Sequence, residues 1–183
     1  MTSNTTSSIA TLDELNTMTP AAFAAALGEV FEYAPWVAEA AAHQRPFASL
    51  DALHRAMLAA VHRSPREQTL RFLCGHPELS VGAVRSGTLT SDSQQEQQSA
   101  GLGDLAQEQG EHLAALNQAY RMRHGFPFIA CVRHYTCAGL FAELASRTER
   151  GTEQEFAEAL RQIGFISRLR LSQRVIAESL QTA

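Results

Sequence analysis

The chain has 183 residues, 45% of them apolar and 19% charged, a size and composition that suit one globular domain with one sizeable core. A net charge of −4 argues against an electrostatically driven nucleic-acid binder. No apolar run approaches the roughly 20 residues of a membrane-spanning helix. Every basic residue is arginine, which excludes Schiff-base lysine chemistry and a phosphate-loop lysine. Cys74, Cys131 and Cys137 are too few and too scattered for a disulfide framework, so a reducing compartment is expected. The first basic residue is Arg45 and the sequence ends Gln181-Thr182-Ala183; neither end reads as a targeting signal, and the expected setting is the cytoplasm.

Residues 1–8 are rich in Ser, Thr and Asn and read as a flexible tail. Helix punctuation follows. Thr11 with Glu14 fits a capping box, and Thr19-Pro20 opens a helix over Ala21–Phe31. Pro35 opens a short helix carrying Trp36 and Val37. Ser49 caps a helix on which Leu50, Leu53, Met57 and Val61 recur at helical spacing. Ser64-Pro65-Arg66-Glu67 starts the next, and Gly75 ends it as a C′ glycine. Residues 76–103 contain His76-Pro77, several glycines and a Ser/Thr/Gln run; they read as a long loop, of the kind that is functional or disordered. Leu105–Arg123 is a helix stopped by Gly125. Phe126–Val132 is an apolar stretch, either a strand or a buried connection. Thr136 caps a further helix, and Thr152/Glu155 box the start of a long last one reaching about Leu180. The fold class is all-α, a single domain over 9–183 built as a bundle of about six to nine helices.

Few residues stand out as carriers of chemistry. No two histidines have the i,i+3 or i,i+4 spacing of a helical metal site, and His43, His54, His62, His112, His124 and His134 read as surface or satisfied polar groups. His76 differs, standing at a helix end beside a proline at the mouth of the long loop. It is either a ligand-facing group able to move a proton near neutral pH or a cation set against a helix dipole. Ser93-x-x-Glu96 is either a capping box or a set of polar groups facing an anionic ligand. On the last helix, Phe156, Ala159, Leu160, Ile163 and Ile166 form one apolar arc that includes Arg170 but not Arg168. A buried Arg170 needs a carboxylate partner, internal or bound.

Taken in order, several motifs resemble the 2-oxo-4-hydroxy-4-carboxy-5-ureidoimidazoline (OHCU) decarboxylase family. They are Phe31-Glu32-Tyr33-Ala34-Pro35-Trp36-Val37, Gly75-His76-Pro77-Glu78-Leu79, Ser93-x-x-Glu96-Gln97 with Ser99-Ala100-Gly101-Leu102, Phe126-Pro127-Phe128-Ile129 and Arg168-Leu169-Arg170-Leu171. Gly75, Glu78 and Arg123-His124-Gly125 vary the usual pattern without touching a residue given a chemical role. The resemblance implies an all-helical, cofactor-free decarboxylase, and the histidine spacing predicts that it holds no metal. Such an enzyme, usually a homodimer, acts on one small molecule and yields (S)-allantoin and CO2 in urate degradation. It implies catalytic roles for His76 and Glu96. It also implies substrate contacts from Pro77, Ser93, Gln97, Phe128, Ile129, Ala130, Cys131, Val132 and Arg170. Two other classes stay open. A metal-dependent helical-bundle hydrolase would need three convergent histidines, and a non-catalytic helical interaction module would show a dry, closed surface around His76.

Overall fold

A computed structural model describes residues 10–176. The tail expected over 1–8 and the last residues of the expected final helix lie outside the described residues. Among those described are ten α-helices and one two-stranded parallel sheet. The described residues fall into two compact units, one comprising those up to Thr69 together with those from Ser167, the other Leu70–Ile166.

The first unit opens with β1 (Ala10–Thr11) and α1 (Leu12–Thr17). The expected capping box is present: the Glu14 amide donates to Thr11 Oγ1 at 3.2 Å and the Thr11 amide to Glu14 Oε2 at 2.7 Å. The Thr11 amide, and after it the Thr11 hydroxyl, hold the Glu14 carboxyl below its ordinary pKa. Thr19 caps α2 (Pro20–Leu27), with proline at the first helical position. The helix ends before the expected Phe31. Val30 and Phe31 are buried in the turn beyond it, and Tyr33 sits at φ 50° before Pro35 opens α3 (Pro35–Ala42). Ser49 caps α4 (Leu50–Arg63), whose stripe of Leu53, Met57 and Val61 is buried as its spacing requires.

At the other end of this unit the chain leaves the helical state at Arg174. Val175 and Ile176 form β2, paired in parallel with Ala10 and Thr11, so the last helix is shorter than its pattern suggests. The helical phase of its arginines holds. Arg170 is 1% exposed, whereas Arg168 is partly exposed and bonds Asp51 at 2.9 Å. Arg170 Nη1 donates to Glu32 Oε2 at 2.6 Å. The internal partner that the sequence left open is therefore the glutamate of the Phe31–Val37 motif. His54 is another buried polar group with a partner, its Nε2 lying 2.9 Å from Ser167 Oγ.

The second unit takes over within α5 (Arg66–Cys74) and continues through α6 (Val81–Ser86), α7 (Ser91–Ser99), a 3-10 turn at Leu102–Asp104, α8 (Gln107–His124), a second 3-10 turn at Val132–His134, α9 (Cys137–Thr148) and the start of α10 (Thr152–Arg174). The expected loop at 76–103 is thus largely helical, and α6 and α7 carry the helix count past the expected range. Ser80 Oγ caps α6 by accepting from the Ala83 amide at 3.2 Å. Gly87, at φ 65°, ends α6 in the left-handed conformation that suits glycine. Thr90 caps α7. Gly125, at φ 81°, ends α8 in the same way as Gly87, while Gly75 is not left-handed and does not serve as the expected C′ glycine. Phe126–Val132 resolves as a buried connection, not a strand.

Thr152 and Glu155 do not form the expected capping box. Thr152 is already helical, and the Glu155 amide bonds the Gly151 carbonyl at 3.0 Å. The Glu155 carboxylate turns inward to Tyr120 and Arg147 instead, because a carboxylate on the buried face satisfies two donors that otherwise have no water. Around it, the rings of Tyr120, His124, Phe126, Phe128 and Phe156 pack edge-on or tilted at centroid distances of 4.5–6.1 Å.

Removing one member of a buried ion pair strands the other. Arg170→Met is expected to lower the stability of the protein by about 3–5 kcal/mol, and Arg168→Met, at a solvated pair, by less than about 1 kcal/mol. Urea unfolding of the two variants checks this, and wild-type stability in Arg170→Met would contradict the assignment.

Candidate active site

Three stretches of the second unit line a narrow cleft. His76, Pro77 and Leu79 come from the segment after α5. Ser93, Glu96 and Gln97 come from α7. Phe128, Ile129, Ala130 and Val132 come from the connection after α8, and Ile166 of α10 completes the lining.

His76 is fixed from below. Its amide donates to the Leu73 carbonyl at 3.1 Å, at the end of α5, and its ring stands edge-on to Phe72 at 6.4 Å between centroids. The ring is 7% exposed and faces the cleft. His76 thus stands two residues past the end of α5 and on the cleft wall. Pro77 forbids the helix to continue, and the chain runs extended to Ser80. This extended backbone has no helical hydrogen bonds of its own, and side chains supply them. Gln97 Oε1 accepts from the Ser80 amide at 3.0 Å while its Nε2 donates to the Glu78 carbonyl at 3.0 Å. Asn117 Nδ2 donates to the Leu79 carbonyl at 2.8 Å, and Arg121 Nε meets the Glu78 carboxylate at 2.7 Å.

The role of Ser93-x-x-Glu96 is decided by where α7 begins. Thr90, with extended backbone, supplies the capping oxygen, and the Ser93 amide donates to it at 3.4 Å. Ser93 therefore lies in the first turn of a helix already started, and Glu96 lies a turn further on. The capping-box reading is corrected accordingly. Ser93, Glu96 and Gln97 instead share one helix face by their i, i+3, i+4 spacing, and that face lines the cleft.

The opposite wall, residues 128–132, is also backbone without regular structure up to Cys131, and Val132 opens the second 3-10 turn. Arg147 Nη1 donates to the Ile129 carbonyl at 2.9 Å, and the Cys131 amide donates to Gln162 Oε1 at 2.9 Å. The Cys131 and Val132 carbonyls accept from the amides of His134 and Tyr135. Gln162 is itself held by Glu158 at 2.7 Å. Burial pulls the Glu158 carboxyl up, but hydrogen bonds from Arg161 and Gln162 outweigh it and hold the carboxyl below its ordinary range.

Of the residues expected at the site, His76, Pro77, Ser93, Glu96, Gln97, Phe128, Ile129, Ala130 and Val132 all line this one cleft. Cys131 is buried with its amide turned to Gln162, and Arg170 belongs to the first unit, bound to Glu32. Among the described residues no three His, Cys, Asp or Glu side chains converge as a ligand set for a metal. Sequence reasoning passed over Asn117, Tyr120, Arg147, Glu155 and Gln162. A signal existed for several of them. Leu113, Asn117 and Tyr120 recur on one face of α8, and Leu140, Leu144 and Arg147 on one face of α9, the same phase relation that singled out Arg170.

A cleft of mixed polar and apolar lining, with a histidine and a carboxylate on its walls, has the make-up of a small-molecule site. The sequence profile of OHCU decarboxylases matches residues 16–172. A 2-oxo-4-hydroxy-4-carboxy-5-ureidoimidazoline decarboxylase of Haloferax volcanii is 38% identical over 168 residues, which cover 92% of this chain and 98% of the relative. A uric acid degradation bifunctional protein, PucL, of Bacillus subtilis is 40% identical over 94% of this chain; the match spans 34% of its length, about a third. Among solved structures, an (S)-allantoin synthase superposes with a TM-score of 0.72 at 31% identity, over 91% of this chain and 54% of that one. The fold is shared with an OHCU decarboxylase crystallised in the presence of (S)-allantoin, at a TM-score of 0.59 and 20% identity over 75% of this chain and 89% of that one. The chain belongs to the OHCU decarboxylase family.

Gln97 satisfies two backbone groups of the wall beside His76, whereas Gln98 is exposed. Gln97→Ala is expected to destabilise by about 1–3 kcal/mol, the cost of leaving buried backbone groups unmet, and Gln98→Ala by no more than about 0.5 kcal/mol. Denaturant titration of the pair is the check; equal stabilities would contradict the clamp.

Proposed function

We propose that this protein decarboxylates OHCU to (S)-allantoin and CO2 in urate degradation, with His76 and Glu96 as its catalytic residues. The observation that carries the reading is the convergence of His76, Ser93, Glu96 and Gln97 with the 128–132 backbone on a single cleft in a chain of this family. A helical metallohydrolase would instead gather ligands that the described residues do not bring together.

The substrate carries its own electron sink. The electrons of the breaking carbon–carboxylate bond flow into the adjacent ring C=N, so the protein has only to orient the substrate, place charge and move a proton. His76 accepts the proton of the substrate's 4-hydroxyl as CO2 leaves. Glu96, half-buried on α7 and on the same cleft, orients and polarises His76 or the ureido group. The ring nitrogen that received the electrons takes up a proton from solvent, and a further proton, replacing the one His76 removed, is delivered to one face of the adjacent ring carbon. Pro77, Ser93, Gln97 and Phe128–Val132 shape the substrate's surroundings. Since the Ile129 carbonyl and the Cys131 amide both turn to internal side chains, we assign the peptide groups of Ala130 to the ligand. The family resemblance also gives Arg170, which is paired with Glu32, a substrate contact.

Family resemblance supports a homodimer working in the cytoplasm on one small molecule, with neither nucleic acid nor membrane as a partner. No described helix is long and apolar enough to cross a membrane.

Supplying freshly generated OHCU and following optical activity tests the whole reading. Spontaneous decay gives racemic allantoin, and the protein is expected to give the S enantiomer alone. His76→Asn should lower kcat by roughly 10²–10⁴-fold, the scale of general acid–base catalysis, and Glu96→Gln should lose turnover with little change in Tm. Racemic product from the wild-type protein, or normal turnover in folded His76→Asn, would refute it.

A further inference from the structure

Arg147 on α9 and Glu155 on α10 are both fully buried. Arg147 Nε donates to Glu155 Oε2 at 2.8 Å, and the phenol of Tyr120 on α8 donates to the same oxygen at 2.7 Å. The other carboxylate oxygen lies 3.6 Å from Arg150 Nη1. Burial and the bond to Glu155 raise the Tyr120 pKa far above its ordinary value, so the phenol stays a donor. Stability alone does not account for this cluster, because well-packed apolar side chains commonly match or exceed a buried ion pair. The cluster does have an outlet. Arg147 Nη1 donates to the Ile129 carbonyl at 2.9 Å, and the guanidinium plane lies over the Phe128 ring, 4.6 Å from its centroid. Both residues belong to the cleft wall, while Tyr120, Arg147 and Glu155 do not line the cleft.

We propose that Tyr120, Glu155 and Arg147 form a positioning relay that sets the 128–132 wall and thereby the affinity of the cleft for its substrate, without taking part in proton transfer. The proposal rests on the reading that this cleft binds OHCU. The geometry gives each member a distinct task. Tyr120 and Arg147 share one oxygen of Glu155, so the phenol fixes the carboxylate that fixes the guanidinium. Arg147 then delivers a second N–H, in rigid register with the first, to Ile129. A planar fork can hold two acceptors at once, and an ammonium cannot reproduce that geometry. The wall needs such an anchor because Pro127 cannot donate a backbone hydrogen bond and the segment has no strand partner.

Tyr120→Phe removes one hydroxyl and leaves the ring packing in place. It is expected to raise KM for OHCU about tenfold, the factor that corresponds to losing one hydrogen bond's worth of positioning, with kcat kept within about twofold. Amide hydrogen exchange at residues 129–132 should quicken in the same variant. Arg147→Lys is the second arm, retaining the charge beside Glu155 while losing the fork, and should raise KM at least as far. A merely structural role predicts a different pattern, a smaller active fraction that lowers kcat at unchanged KM. Unchanged KM in either folded variant, as judged by circular dichroism, would overturn the relay, as would unchanged exchange at 129–132. The wild-type protein is assayed first. Absence of OHCU turnover there would sink the proposed function, and the relay would then stand or fall on the exchange measurement, which needs no substrate.

Discussion

Two short pieces of backbone, residues 76–80 and 128–132, form walls of the cleft largely without the internal hydrogen bonds that a helix provides. Buried peptide groups left unmet would cost more than the fold can absorb. The second unit meets them with side chains: Gln97 and Asn117 on one wall, Arg147 and Gln162 on the other. Each of these side chains comes from a helix, so the helices act as a frame that holds irregular backbone in a set conformation. One turn of α8 serves both walls, since Asn117 bonds Leu79 directly and Tyr120, three residues on, reaches Ile129 through Glu155 and Arg147.

Such a frame suits a reaction whose electron sink lies in the substrate. The protein then contributes rigid placement of a histidine, a carboxylate and a few backbone dipoles, the kind of preorganised polarity that lowers a barrier without reorganising during the reaction. Pro77 belongs to the same logic. Following His76 directly, it keeps the chain from continuing α5, which ends at Cys74, and leaves the ring just past a helix end, anchored by its own amide and facing the cleft.

Much of this was legible in the residues. Thr11, Thr19, Ser49 and Thr136 cap helices where their patterns place them, because capping depends on neighbours in sequence. His76 stood out through Pro77, also a local effect. Helical phase correctly buried Arg170 and exposed Arg168. Other features escaped for physical reasons. The residues of α7, Ser-Asp-Ser-Gln-Gln-Glu-Gln-Gln-Ser, have no apolar period, and the helix is fastened by hydrogen bonds from Gln94 and Gln97 to distant backbone. Ser93-x-x-Glu96 and Thr152-x-x-Glu155 both match the capping-box pattern, yet each glutamate is used elsewhere, one in the cleft and one in the buried relay. A local motif cannot show that a long-range partner has claimed its side chain. The carboxylate for Arg170 was unidentifiable for the same reason, since Glu32 is brought to it only by the fold.

The central claim is that the cleft framed by these two walls and α7 is where the reactive ligand sits. Titration of the isotope-labelled protein with (S)-allantoin, followed through backbone amide resonances, tests it most directly. The account predicts saturable shifts concentrated at residues 76–80, 93–97 and 128–132, with Ala130 among the largest. Shifts confined to other surfaces, with these three segments unmoved at saturation, would contradict it.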